Sequence, residues 1–205
     1  MFGRGGIPTI KTSLTGFFRQ HASGRKLGLT FLAAMCVFSL FGVVLVPAFQ
    51  AASDGLYPID MSFPTTPEVI YTQLAHYSAE SRRIYRWFFV VDLVWPPLLA
   101  SLFSLLWCWL ATGTRHPLPS RMIAAGVLLL PWAEALLDWT ENIGFITLIE
   151  IYPTEVTALA WITGSVKHLK LVLYALCWLV TFMFIGLRVF RGEKGEKVPD
   201  SFPGK

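Results

Sequence analysis

The chain has 205 residues, of which 54% are hydrophobic and only 15% charged, and it carries a net charge of +4. Soluble domains carry about a quarter of charged residues, so the mean hydropathy of +0.55 places the chain in the membrane class and excludes an ordinary water-soluble enzyme core. The positive balance does not mark a nucleic-acid partner, because the basic residues flank apolar runs as membrane topology requires.

Residues 1–26 read as a basic cytoplasmic arm: Arg4, Lys11, Arg19, Arg25 and Lys26 occur there without an acid. The arm is either a solvated tail that fixes topology or a segment lying on anionic headgroups. Leu27 to Ser53 contains no charge, and a first span is expected over about 27–48, ending near Pro47. Ala51-Ala52-Ser53 could terminate a cleaved leader, but the apolar run is longer than the 7–15 residues of such leaders, which favours a retained helix.

The outer segment, 50–82, carries a helix start: Thr66 as N-cap, Pro67 in the first position and Glu68 in the first turn. Ile70, Leu74 and Tyr77 recur on one face, predicting a short amphipathic helix that either packs on the surface or forms a lid. The second span is expected over about 84–111, with Asp92 shortly before Pro96-Pro97, a pair that frees backbone carbonyls and kinks a helix. The third, about 122–152, contains Pro131. Pro153 ends it, and Thr154 is placed to cap the fourth, about 154–189. The short turn makes helices three and four an antiparallel hairpin, and 190–205 forms a cytoplasmic tail.

These elements predict an all-α, four-transmembrane-helix bundle with both termini cytoplasmic. Arg115 and Arg121 mark the inner connection. Asp54, Asp60, Glu68, Glu80, Glu150 and Glu155 fall outside, where Arg82, Arg83 and Arg86 are an exception to the charge rule.

The stretch WAEALLDWTENIGF, Trp132 to Phe145, is the chemical anomaly. Glu134, Asp138 and Glu141 follow i, i+4, i+7 and share one helix face, with Asn142 on its flank. The fourth helix carries a matching stripe through Thr163, Lys167, Lys170, Tyr174, Cys177 and Thr181. At 1.5 Å per residue, Asp138 lies about 21 Å from Tyr152 and Lys167 about 20 Å from Thr154. That arithmetic pairs Asp138 with Lys167 and Glu134 with Lys170, and leaves Glu141 without a lysine. Asp92 forms a third wall. An ionised side chain at a helix centre costs about 2.5–3.5 kcal/mol on the insertion scale, so these groups must face one another. With four acids against two lysines, one carboxyl, Glu141 or Asp92, is expected to hold a proton.

Other signals are bland. Cys36, Cys108 and Cys177 stand alone, which excludes a C-x-x-C oxidoreductase. The histidines show no zinc spacing, His76 with Glu80 reads as a solvated face, and no cofactor or metal is expected. The eight tryptophans suit interfacial belts or packing, and Ala160-x-x-x-Gly164 permits close helix approach.

D-x-x-E-N (DWTEN, Asp138 to Asn142), the acid before prolines in VDLVWPP, and the lysine-bearing last helix together resemble a set of uncharacterised four-helix bacterial membrane proteins. This likeness covers about Pro67 to Leu187 and implies the fold and a bacterial inner (plasma) membrane, but no activity. Asp92, Pro96 and Pro97 also bear a looser resemblance to EXPERA-domain sterol isomerases and ligand-binding proteins. The resulting expectation is a polar pocket for a lipid-like or amphipathic molecule. Lys167, Lys170, Asn142, Glu134 and Tyr174 would bind it, and Asp92, Asp138 and Glu141 are the candidate catalytic acids. A proton- or ion-coupled transport component and a structural subunit of a membrane complex are the rival readings. Membrane lipids are expected partners, and a homo-oligomer or a membrane-complex partner is compatible with each reading.

Overall fold

The structure, a computed structural model, describes residues 10–189; Arg4 and the 190–205 tail lie outside the described residues. The described chain is helical, and three of its helices, Gly24–Ala52, Ala79–Thr112 and Thr157–Val189, are long and apolar enough to cross a membrane. A fourth span forms if the bent pair Pro117–Ala125 and Leu129–Ile151 is counted as one. Phe31, Phe38, Val43, Leu136, Leu179 and Phe182 are all exposed, an apolar surface that suits an integral membrane protein and not an aqueous one.

The first correction concerns the arm. Residues 10–21 are not an open tail but helix α1 (Ile10–His21). It forms because Phe18 finds a buried site in the core beside Leu105 and Trp132, while the Arg19 guanidinium donates to the Ser120 carbonyl at 3.2 Å. The Ser23 hydroxyl then accepts from the Lys26 amide and starts α2 (Gly24–Ser39).

Proline accounts for the irregularities in the first two long helices, and glycine for the third. Pro47 has no N–H, and its ring crowds the carbonyl four residues back. The helix widens over Leu40–Leu45 into a π turn, in which the Val46 amide reaches back to the Phe41 carbonyl, and then continues as α3 (Val46–Ala52). Further on, α5 (Ala79–Asp92) and α6 (Trp95–Thr112) are separated at Leu93–Val94. Pro97 cannot donate to the Leu93 carbonyl, and the Trp139 indole takes that bond at 3.0 Å. Helices α7 (Pro117–Ala125) and α8 (Leu129–Ile151) meet at 49°. Gly126 makes the corner with φ 102°, a left-handed conformation that suits glycine.

Helix α4 (Pro67–Ala75) begins with Thr66 accepting from the Val69 amide, and its Ile70 and Leu74 are buried against Phe145, Leu148 and Ile149. The last helix, α9 (Thr157–Val189), starts three residues beyond Thr154, so Thr154 does not cap it. Arg82 and Arg86 tie α5 to its neighbours. Arg82 donates to the carbonyls of Ile149 and Leu74, and Arg86 clamps Glu150 in bidentate fashion at 2.6 and 2.9 Å.

Two larger apolar cores result, beside a small third cluster of Phe41, Val46 and Phe88. One surrounds Trp107, whose indole donates to the buried Thr181 hydroxyl at 2.8 Å. The other gathers Phe49, Ile70, Leu74 and Phe145. The α8–α9 hairpin is tightest where Gly144 faces Thr163. A side chain at Gly144 would meet Thr163 at once, so Gly144→Val is expected to cost about 1–3 kcal/mol. Gly42→Ala, whose Cβ meets nothing within 4 Å, should leave thermal unfolding in detergent unchanged.

Candidate functional site

A buried charged layer lies between the two cores. From α8 come Glu134, Asp138, Glu141 and Asn142, all buried, with Glu141 0% exposed. Asp92 enters from the C-terminal end of α5, and α9 supplies Lys167 and Lys170. The i, i+4, i+7 face therefore turns inward as a set.

The pairing differs from the sequence expectation by one helical turn. Lys170, not Lys167, holds Asp138, with Nζ 3.1 Å from Oδ1. The same ammonium also engages Glu141, the acid left without a lysine in the sequence reading. Glu134 makes no ion pair among the described residues. The cause is the connection: α9 begins at Thr157, three residues later than the short turn implied, and a three-residue slip is almost one turn of helix.

Lys167 is 2% exposed, yet no carboxylate pairs with it among the described residues. Its Nζ donates to the Ser62 carbonyl at 2.6 Å and sits 3.9 Å from the centre of the Phe63 ring. Both partners belong to 59–66, a strap that comes from the segment between the first two spans and lies over the layer. Gly164 makes room for the strap, because a Cβ there would stand 2.6 Å from the Thr65 carbonyl. The small-residue pair Ala160 and Gly164 thus serves two contacts: Ala160 is buried in the core and Gly164 receives the strap.

The strap also contributes an acid that the sequence reading left outside. Asp60, in the short 3-10 turn Ile59–Met61, has its Oδ1 shielded and unpartnered. Burial holds the Asp60 carboxyl above its ordinary value, against the opposing pull of Lys170, Tyr85 and Lys167. No spacing signal marked this residue, since one acid in a loop has no periodicity. Conversely, Tyr174 does not join the layer: its ring packs edge-on against Phe103 and Trp178. His76 and Glu80 also stay apart, His76 bonding the Thr72 carbonyl and Glu80 pairing with Arg83.

Chemically, the layer holds five carboxyl groups and two ammonium groups. Asp60, Asp92 and Glu134 have no ion pair among the described residues. Glu141 Oε1, Asn142 Nδ2 and Thr65 Oγ1 are buried without partners. Unpartnered polar atoms in the interior usually mark a place for water or a ligand. No group of three His, Cys, Asp or Glu residues among those described is arranged to hold a metal.

Two outcomes follow. Lys170→Met strands two buried acids and should cost about 3–5 kcal/mol, read as the loss of a monodisperse detergent-solubilised species. Asp138→Asn with Glu141→Gln should restore that species, whereas Lys167→Met, which strands only a carbonyl, should cost far less. The second outcome concerns pH. Asp60 faces Tyr77 and Tyr85, Asp92, Glu141, Lys167 and Lys170. A carboxyl raised on folding stabilises the closed strap when protonated, and this contribution is lost as pH rises through the folded value. Amide exchange in 59–66, corrected for intrinsic rate, should therefore quicken as pH rises from about 4, the ordinary aspartate value. Asp60→Asn should flatten that rise.

Comparison of the chain with family models, with curated proteins and with solved structures gives no match. Any functional reading therefore has to come from the charged layer and its strap.

Proposed function

We propose that the protein is a four-span integral membrane protein, with both termini on the cytoplasmic side of a bacterial plasma membrane, that receives the polar head of a lipid-like molecule in the charged layer. One observation carries this reading. Lys167 is a buried cation whose one hydrogen-bond acceptor among the described residues is a backbone carbonyl of a strap, and that bond is displaceable, unlike the pinned Lys170 fork. With the strap lifted, Lys167 offers a charge to an anionic headgroup, and the unpartnered Asn142 amide of the same layer offers a donor. Asp92 and Glu134, which have no ion pair to break, accept hydrogen bonds from the same head. Lys170 stays with Asp138 and Glu141 and sets the field. Where the bound molecule is altered as well as held, Asp92 is the candidate acid.

In this reading the D-x-x-E-N motif supplies both halves of the site: its two acids hold the fixed lysine and its asparagine meets the ligand. A second reading, a proton-coupled component, is favoured by the surplus of carboxyls over lysines. It predicts pH-dependent flux in liposomes that Asp138→Asn abolishes.

The binding reading is tested by thermal shift in detergent with lysophosphatidylglycerol, lysophosphatidylcholine and a neutral monoacylglycerol. The anionic probe should stabilise the wild type most, and Lys167→Met should lose that preference. Gly164→Val, whose side chain would displace Thr65 and the strap, should strengthen binding. No shift with any probe in either the wild type or Gly164→Val would sink the reading.

A further inference from the structure

At the far end of the bundle from the charged layer, α2, α6 and α9 leave a groove of about 480 Å3. Leu99, Leu102, Phe103 and Leu106 of α6 form its floor, Leu27 and Phe31 one wall, and Trp178 the other. No charged residue lines it. The groove exists because Gly24 and Gly28 give the α2 wall no side chain at two successive turns. A Cβ at either position would meet nothing within 4 Å, so the space beside them is open and not filled by a neighbour. Along α6 the lining from Leu99 to Trp109 runs about 15 Å, half of a hydrocarbon core about 30 Å thick.

One end of the groove is polar and of a single sign. Trp109 closes it, and the Arg188 guanidinium stacks 3.8 Å from the centre of that ring while donating to the Trp109 carbonyl at 3.2 Å. Gly24, at the same end, is followed by the exposed pair Arg25 and Lys26. None of these three cations enters an ion pair among the described residues. Beside them lies α1, which exposes Ile10 and Phe17 and carries Lys11 and Arg19, the pattern of a helix resting in a membrane interface.

We infer that this groove is a binding site for an anionic phospholipid, one acyl chain lying along α6 and the phosphate held by Arg188 and Arg25. The apolar length matches the depth of one leaflet, and the unpaired cations stand where a headgroup would be. Charge complementarity selects this occupant over a zwitterionic lipid, whose own ammonium would meet the same arginines. The site is separate from the charged layer and does not depend on what that layer binds.

The test is native mass spectrometry of the full chain in detergent, titrated with phosphatidylglycerol or with phosphatidylcholine of the same acyl chains. One phosphatidylglycerol should be retained per chain at a concentration at least tenfold below that needed for phosphatidylcholine. Gly28→Trp places a side chain in the groove and should weaken phosphatidylglycerol retention at least tenfold without lowering the thermal unfolding midpoint. Gly24→Leu provides the same test from the other open position should Gly28→Trp fail to fold. Arg25→Gln should narrow the gap between the two lipids. Equal retention of both lipids by the wild type would overturn the site. So would phosphatidylglycerol retention that is unchanged when the groove is filled, which would mean annular lipid only.

Discussion

Carboxyl groups on one face of α8 can be buried only where each is neutralised, by a cation buried with it or by a proton, and this requirement organises the membrane domain. The Lys170 ammonium lies between Asp138 and Glu141, so a single side chain sets both the rotation and the register of α9 against α8. Register this strongly specified by charge leaves little freedom to the packing, and the packing complies. Gly144 has no side chain where Thr163 must pass, and Trp107 meets the Thr181 hydroxyl lower down. The apolar cores on either side supply burial, while the charged layer supplies uniqueness. Buried ion pairs seldom add much net stability, and fixing register is their best-attested use.

The features with a period could be read from the sequence. The acid face of α8, the lysine face of α9 and the apolar face of α4 recur at helical spacing, and in the structure each faces inward. The pairing across the hairpin could not be read so well, because it depends on the length of one turn. Three residues between Thr154 and Thr157 move every cross-helix partner by almost a full turn, which exchanges Lys167 for Lys170 opposite Asp138. Contacts without a period were invisible. Asp60 and Ser62 are a lone acid and a backbone carbonyl in a loop, and nothing in their spacing says that they meet α9. Residues 10–21 read as an arm because their only charged residues, Lys11 and Arg19, are basic, while a single aromatic side chain, Phe18, docks that segment on the bundle.

Proline shows why irregular backbone can persist in an apolar setting. Each proline removes a donor, and the carbonyl it abandons must find a partner or remain costly. The Leu93 carbonyl finds the Trp139 indole, which lies on α8 one residue beyond Asp138. The break between α5 and α6 is therefore tied to the helix that carries the acids, and Asp92, one residue before Leu93, is brought to the charged layer by the same contact. A kink that looks like a defect in α5–α6 is in this way a positioning device for the third wall of the site.

The depth of the layer completes the physical picture. Helix α9 has 33 residues and is about 50 Å long, too long to lie wholly within a hydrocarbon core of about 30 Å unless strongly tilted. Arg188, stacked on Trp109, marks one end of its charge-free section, Leu171 to Leu187. Lys170 stands eighteen residues from Arg188, about 27 Å along the axis, so a hydrocarbon core that begins at Arg188 would have the charged layer close to its opposite boundary and not at its centre. The insertion cost that applies at a helix centre is then an upper bound, and five carboxyls become tolerable in a chain this apolar. The same placement explains why a strap of ordinary loop residues can reach Lys167: it has to enter only the edge of the hydrocarbon, where its free backbone groups still have polar neighbours. A polar head arriving at that edge would meet the strap first and the lysine second, while its chains remained in the lipid beside α8 and α9.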